Sequence, residues 1–125
     1  MNIQVSEDSF EDMVRAAVAV LPDQFLSKLD NVSIIVADRP TREQMAENNL
    51  DPRDSLYGLY EGVPLPERGN FVPALPDLIT IFQEPIEKAC SSIAELELQV
   101  QDTVLHEVAH YFGFTDSELQ QLGLG

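Results

Sequence analysis

Residues 92–116 read SIAELELQVQDTVLHEVAHYFGFTD, and the arrangement of the rest of the chain follows from how this stretch folds. Ile93, Leu96, Val100, Val104, Leu105, Val108 and Phe112 recur every three or four positions. That period places them on one face of an α-helix running from about Ser92 to Phe112. Ser92 followed by Glu95 is a capping box at its start. Gly113 is the natural C′ residue at its end, because glycine enters the left-handed region without steric cost. A helix of this length must bury its apolar face against other elements, and they are found upstream.

The same helix carries the chain's only two histidines. His106 and His110 stand four apart, so they share a face and converge on one point. Tetrahedral zinc accepts two imidazole nitrogens at about 2.0–2.1 Å in that geometry. Glu107 is rotated by about 100° around the axis. It is therefore turned away from the ion and toward a water on it, whose pKa zinc lowers to about 7; Glu107 reads as the general base. Two histidines placed at random in 125 positions fall four apart in about 1.6 % of cases. A glutamate immediately after the first lowers that to roughly one or two in a thousand, so coincidence is a poor account. The competing reading is a helix with two exposed or hydrogen-bonded histidines.

Working outward, Phe10, Met13, Val14, Ala17, Val18 and Leu21 predict an amphipathic helix over Phe10–Leu21, with Ser6 or Ser9 as N-cap and Pro22 beyond its end. Asn31–Asp38 is short, β-branched and closed by Arg39-Pro40, which predicts a buried strand. Thr41–Asn48, opening with Thr41 before Glu43 and Gln44, predicts a short helix. Leu56–Val63 has strand character weakened by Gly58 and Gly62; an edge strand closely approached by another backbone would account for Gly58. Pro64–Pro76, with four prolines and Gly69, predicts a loop. Leu78–Gln83 predicts a strand closed by Pro85, and Asp116–Leu122 a short final helix. The expected fold is α+β, with a small mixed sheet packed on the N-terminal helix and the histidine-bearing helix, in one domain over residues 1–125.

His106-Glu107-x-x-His110-x-x-Gly113-x-x-Asp116 resembles the extended zinc motif of the metzincin metalloproteases, with Asp116 where most of them carry a third histidine. It is still more similar to a family of small bacterial minimal zincin-like metallopeptidases, whose stretches resemble LYGLYEGVPLPER at 56–68 and LPDLITIF at 75–82. The resemblance covers about residues 10–123. It implies that His106, His110 and Asp116 hold one zinc ion per chain and that Glu107 is the catalytic acid/base. Asp116 has two readings from its own surroundings. Gly113 can turn the chain and bring Asp116 back as the third protein ligand that zinc sites normally take. Alternatively, Thr115-x-x-Glu118 is a capping box, and Asp116 favours the N-terminus of the final helix electrostatically.

Composition removes other classes of function. The chain has 22 acidic against 7 basic residues, a net charge of −15, which nucleic acid and anionic membranes repel. No apolar run nears the roughly 20 residues needed to cross a bilayer, and mean hydropathy is −0.09. One cysteine, Cys90, excludes an internal disulfide and suits a reducing compartment. Cys90 precedes a helix start, where a thiol is acidified; the other reading is a small core residue. Tyr57 and Tyr60 point to opposite faces of a strand and read as packing residues, and Tyr111 as core or a neighbour of the site. The expectation is a cytoplasmic, monomeric zinc-dependent peptidase acting on peptide or protein. A second expectation is a zinc-stabilised binding or regulatory protein whose peptidase site is vestigial or latent.

Overall fold

The N-terminal helix α1 spans Glu7–Ala19 and is capped by Ser6, whose hydroxyl accepts from the Ser9 backbone N–H at 3.1 Å. Ser9 therefore lies inside the first turn. Glu7 and Asp8 complement the positive end of the helix, and Phe10, Val14, Ala17 and Leu21 are buried. The computed structural model describes residues 2–29, 32–48, 56–62, 77–114 and 116–121. A single helical turn, α2 (Asp23–Leu26), follows Pro22 and buries Phe25; the sequence reading did not anticipate it.

Three strands form a mixed sheet: β1 (Val32–Ala37), β2 (Gly58–Glu61) and β3 (Asp77–Phe82), in the order β1-β3-β2. β1 runs parallel to β3 and β2 antiparallel to it. The middle strand is correspondingly apolar, with Ile79, Ile81 and Phe82 fully buried. β1 departs from expectation, being an edge strand rather than a buried one. Val32, Ile34 and Val36 are half-buried while Ser33 and Ile35 are exposed. β3 takes the centre of the sheet, and β1, with α1 packed on one face, follows the period-2 alternation of a half-solvated strand. Between β1 and β2, α3 (Arg42–Glu47) has a reciprocal capping box. Thr41 Oγ1 accepts from Gln44 N at 3.0 Å, and Gln44 Oε1 from Thr41 N at 2.9 Å.

A second correction concerns Pro85. It does not close a strand but sits in the first turn of a helix, α4 (Gln83–Ala89), which follows β3 without a loop. Proline is tolerated there because first-turn N–H groups have no intrahelical partner to lose. Gln83 thus belongs to α4, where it and Glu87 hold the N-terminal segment. Glu87 Oε2 accepts from Val5 N at 2.8 Å, and Gln83 Nε2 donates to Val5 O at 3.0 Å. Ile3 N donates to Cys90 O at 2.9 Å, which fastens the same segment at the end of α4.

The long helix α5 spans Ile93–Tyr111, and a final helix α6 spans Asp116–Gln121. α5 packs against α1, β2 and β3, and α1 also covers β1. The core lies where these meet: Phe10 and Val14 of α1, Ile79 and Ile81 of β3, Ile86 of α4, and Leu96, Val100, Val104 and Val108 of α5. This is the expected α+β arrangement of a small mixed sheet on two helices. The loop expected over Pro64–Pro76, Val63 at the end of the expected strand, and Leu122 lie outside the described residues. Among the described residues, no helix is long and apolar enough to cross a membrane.

Candidate metal centre

Both ends of α5 are held by bonds that the sequence makes possible. Ser92 Oγ accepts from Glu95 N at 3.1 Å. The return half of the expected capping box is displaced by one residue: the Glu95 carboxylate accepts from Ser91 N at 3.2 Å and from Ser91 Oγ at 3.0 Å. At the other end Gly113 has φ 90°, the left-handed region that glycine occupies freely. Gly113 N donates to His110 O at 2.9 Å and Phe114 N to Ala109 O at 3.0 Å. These are the two bonds of a Schellman motif. The exit is pinned further by Phe25, stacked on Phe112 at 5.0 Å and edge-on to Phe114 at 6.3 Å. Helix register around the histidines is therefore secured from both directions.

Three parallel stripes on α5 have three destinations. Leu96, Val100, Val104 and Val108 are fully buried in the core. Thr103, Glu107 and Tyr111, each four apart, are buried too; the first two meet β2 at Gly58 and the third meets Tyr60, with ring centroids 5.9 Å apart. His106 and His110 lie on the adjoining stripe and are half-buried, their ring centroids 4.5 Å apart. The four-residue spacing thus brings the two imidazoles together on a surface that solvent still reaches.

Glu107 completes the group. One ligating atom from each of His106, Glu107 and His110 falls within 4.8 Å of the others. Two zinc–nitrogen bonds of 2.0–2.1 Å at a tetrahedral angle require donors roughly 3.3 Å apart, a separation that small side-chain rotations can reach from this arrangement. Two neutral imidazoles are donors that zinc selects, and a carboxylate beside them suits a base for a water on the ion, so the residues present fit it. The Glu107 side chain is 8 % exposed and its Oε1 stands 3.3 Å from His110 Nδ1. The carboxylate is therefore closer to the imidazoles than a simple 100° rotation suggested. Asp116 is the first residue of α6; its side chain and Thr115 lie outside the described residues.

Two other candidates resolve differently from one another. Cys90 is buried between α4 and α5, and burial pushes its thiol above the usual range, with the charge of Glu95 acting the same way. The expected acidification at a helix start is thus reversed, because desolvation disfavours the thiolate more than the helix end favours it; Cys90 is a core residue. Tyr60 and Tyr111 pack on one another, as expected of core aromatics. Thr103 was not singled out by the sequence, since a threonine inside an apolar helix gives no signal until its neighbour across the interface is known.

A family model described as zincin-like metallopeptidase matches residues 29–125. Among curated proteins, none matches the chain.

Proposed function

Because the chain belongs to the zincin-like metallopeptidase family, we propose that it is a zinc-dependent peptidase with Glu107 as general base. The observation that carries the reading is the convergence of His106, Glu107 and His110 within 4.8 Å, beside an edge strand. Zinc held by His106, His110 and Asp116 would polarise the scissile carbonyl and acidify a water toward a pKa of about 7. Glu107 takes the proton of the attacking water on its carboxylate and returns it to the departing amine. Packing against β2 keeps that carboxylate at the imidazoles rather than in bulk solvent. The substrate peptide lies extended along β2, which is hydrogen-bonded on one side to β3 and, among the described residues, carries no strand on the other.

On this reading the chain works as one domain over residues 1–125, as a monomer in the cytoplasm, on peptide or protein. The net charge of −15 supports the absence of nucleic-acid and membrane partners, and a single buried cysteine suits a reducing compartment.

The test is Glu107→Gln, which keeps size and helix propensity while removing the proton acceptor. Hydrolysis of a mixed peptide library falls by about 10²–10⁴-fold, with zinc content and melting temperature close to wild type. Equal cleavage by both proteins refutes the role of Glu107. No cleavage by either, with zinc bound to both, makes the protein a zinc-stabilised regulator with a latent site.

A further inference from the structure

Gly58 lies in the edge strand directly over the site, and what it lacks is as informative as what the histidines supply. A Cβ at residue 58 would stand 2.7 Å from Thr103 Cγ2, 3.0 Å from Glu107 Cγ and 3.4 Å from Thr80 O. The positive-φ glycines among the described residues are Gly62 and Gly113. The backbone at Gly58 is therefore open to any residue, and glycine is required there for space and not for conformation.

The surroundings decide what would give way. Gly58 is held in register opposite Ile81 by the ladder to β3, so the strand resists lifting. Thr103 is also held: its hydroxyl donates to Gln99 O at 2.8 Å and accepts from Gln99 Nε2 at 3.2 Å. Turning its methyl aside would break both bonds. Among the described residues, the Glu107 carboxylate has its approach to His110 and no bond comparable to those of Thr103, and is the softest of the three neighbours.

We propose that Gly58 is a positioning residue for Glu107. The absent side chain lets β2 close on the Thr103–Glu107 stripe, and that contact holds the Glu107 carboxylate toward the two imidazoles. The proposal rests on the peptidase reading for its effect on turnover, but not for its effect on where Glu107 sits. Gly58→Ala displaces Glu107 by a few tenths of an ångström while leaving His106 and His110 in place, so kcat falls by roughly three- to tenfold, less than the ~10²-fold that a full ångström of misplacement costs. Zinc content stays near one per chain. In the Glu107→Gln background, Gly58→Ala adds no further loss of turnover, since the residue through which it acts is already disabled.

A second readout is independent of metal and activity. In metal-free protein labelled with ¹³C at the glutamate carboxyls, the Glu107 signal is identified by its disappearance in Glu107→Gln. Gly58→Ala shifts that signal and leaves the Glu87 signal where it was. If Gly58→Ala fails to fold, Gly58→Ala/Thr103→Ser removes the 2.7 Å clash and keeps the hydroxyl bonds. That double variant folds but retains the shifted Glu107 signal and low turnover, with Thr103→Ser alone as baseline. An unshifted Glu107 signal in whichever variant folds overturns the proposal, as does turnover within about twofold of its parent. A wild-type protein without turnover removes the peptidase reading, and the carboxyl signal alone then decides the placement of Glu107.

Discussion

Two helices of this protein each bury a glutamate, and the two carboxylates have opposite surroundings. Glu87 on α4 is 9 % exposed and Glu107 on α5 is 6 % exposed. Glu87 accepts from the Val5 N–H and from Gln83 Nε2, both on Oε2, so its donors come from its own fold. Glu107 faces His110 Nδ1 at 3.3 Å and is backed by Gly58, so its near neighbours are candidate metal ligands and a missing side chain. Burial of a carboxylate is costly in both places. At Glu87 backbone and side-chain hydrogen bonds offset that cost, and the result is an anchored N-terminal segment. At Glu107 the compensation is left to groups that can take up an ion, the arrangement expected of a working site.

Substitutions can break this contrast. The largest effect should come from the imidazoles: His106→Ala or His110→Ala strips zinc from about one per chain to near zero, because two remaining ligands hold it poorly. Asp116→Ala does the same if it is the third ligand, whereas loss of a cap costs only about 0.5–2 kcal/mol. Elemental analysis decides between them, and wild-type protein that takes up no zinc at neutral pH removes the metal site altogether.

Next comes Glu87→Ala. It leaves Val5 N without its acceptor, takes from Gln83 Nε2 one of its two acceptors, and lowers stability by about 1–3 kcal/mol. Hydrolysis per zinc-loaded, folded chain is unchanged. Denaturant unfolding and peptide cleavage measured side by side check this. A loss of turnover like that of Glu107→Gln, without a loss of stability, would erase the distinction between the two glutamates.

The smallest effect belongs to a third glutamate, Glu84 on the surface of α4, which is bonded to Lys88 at 2.7 Å and lies 3.2 Å from Arg39. The Lys88 hydrogen bond, with the charges of Arg39 and Lys88, outweighs desolvation and holds its carboxyl below the usual range. A depressed folded pKa stabilises the protein above the unfolded value of about 4.3, and that contribution is lost as pH falls through the folded value. Glu84→Gln therefore lowers the melting temperature slightly at neutral pH, and the two melting curves converge in acid. A difference that persists or grows below about pH 3 would contradict the ion-pair account.

The helix that carries the site was legible because its signals are local. Ser92, the three-to-four periodicity of the apolar residues, and Gly113 each act within a few residues of themselves. The convergence of His106 and His110 follows from helix geometry alone. The same holds for the Thr41–Gln44 box of α3 and the Ser6 cap of α1. Reading by local signal failed at Pro85, where one residue fits two local structures. Pro85 reads as a strand stop, yet β3 runs straight into α4 because the first turn of a helix asks nothing of a proline nitrogen.

By itself, then, the sequence determined α1, α3, α5 and α6, the N-caps of the first three, and the convergence of His106 and His110, all consequences of bonds between residues close along the chain. Only the tertiary structure decided that β3 and not β1 lies central in the sheet. It alone reversed the expected acidity of Cys90 and gave Glu87 a structural task. It also set Gly58 against Thr103 and Glu107, a contact between residues more than forty positions apart. Burial, register and close approach are properties of pairs that no local pattern records, because they exist only once separate elements have packed.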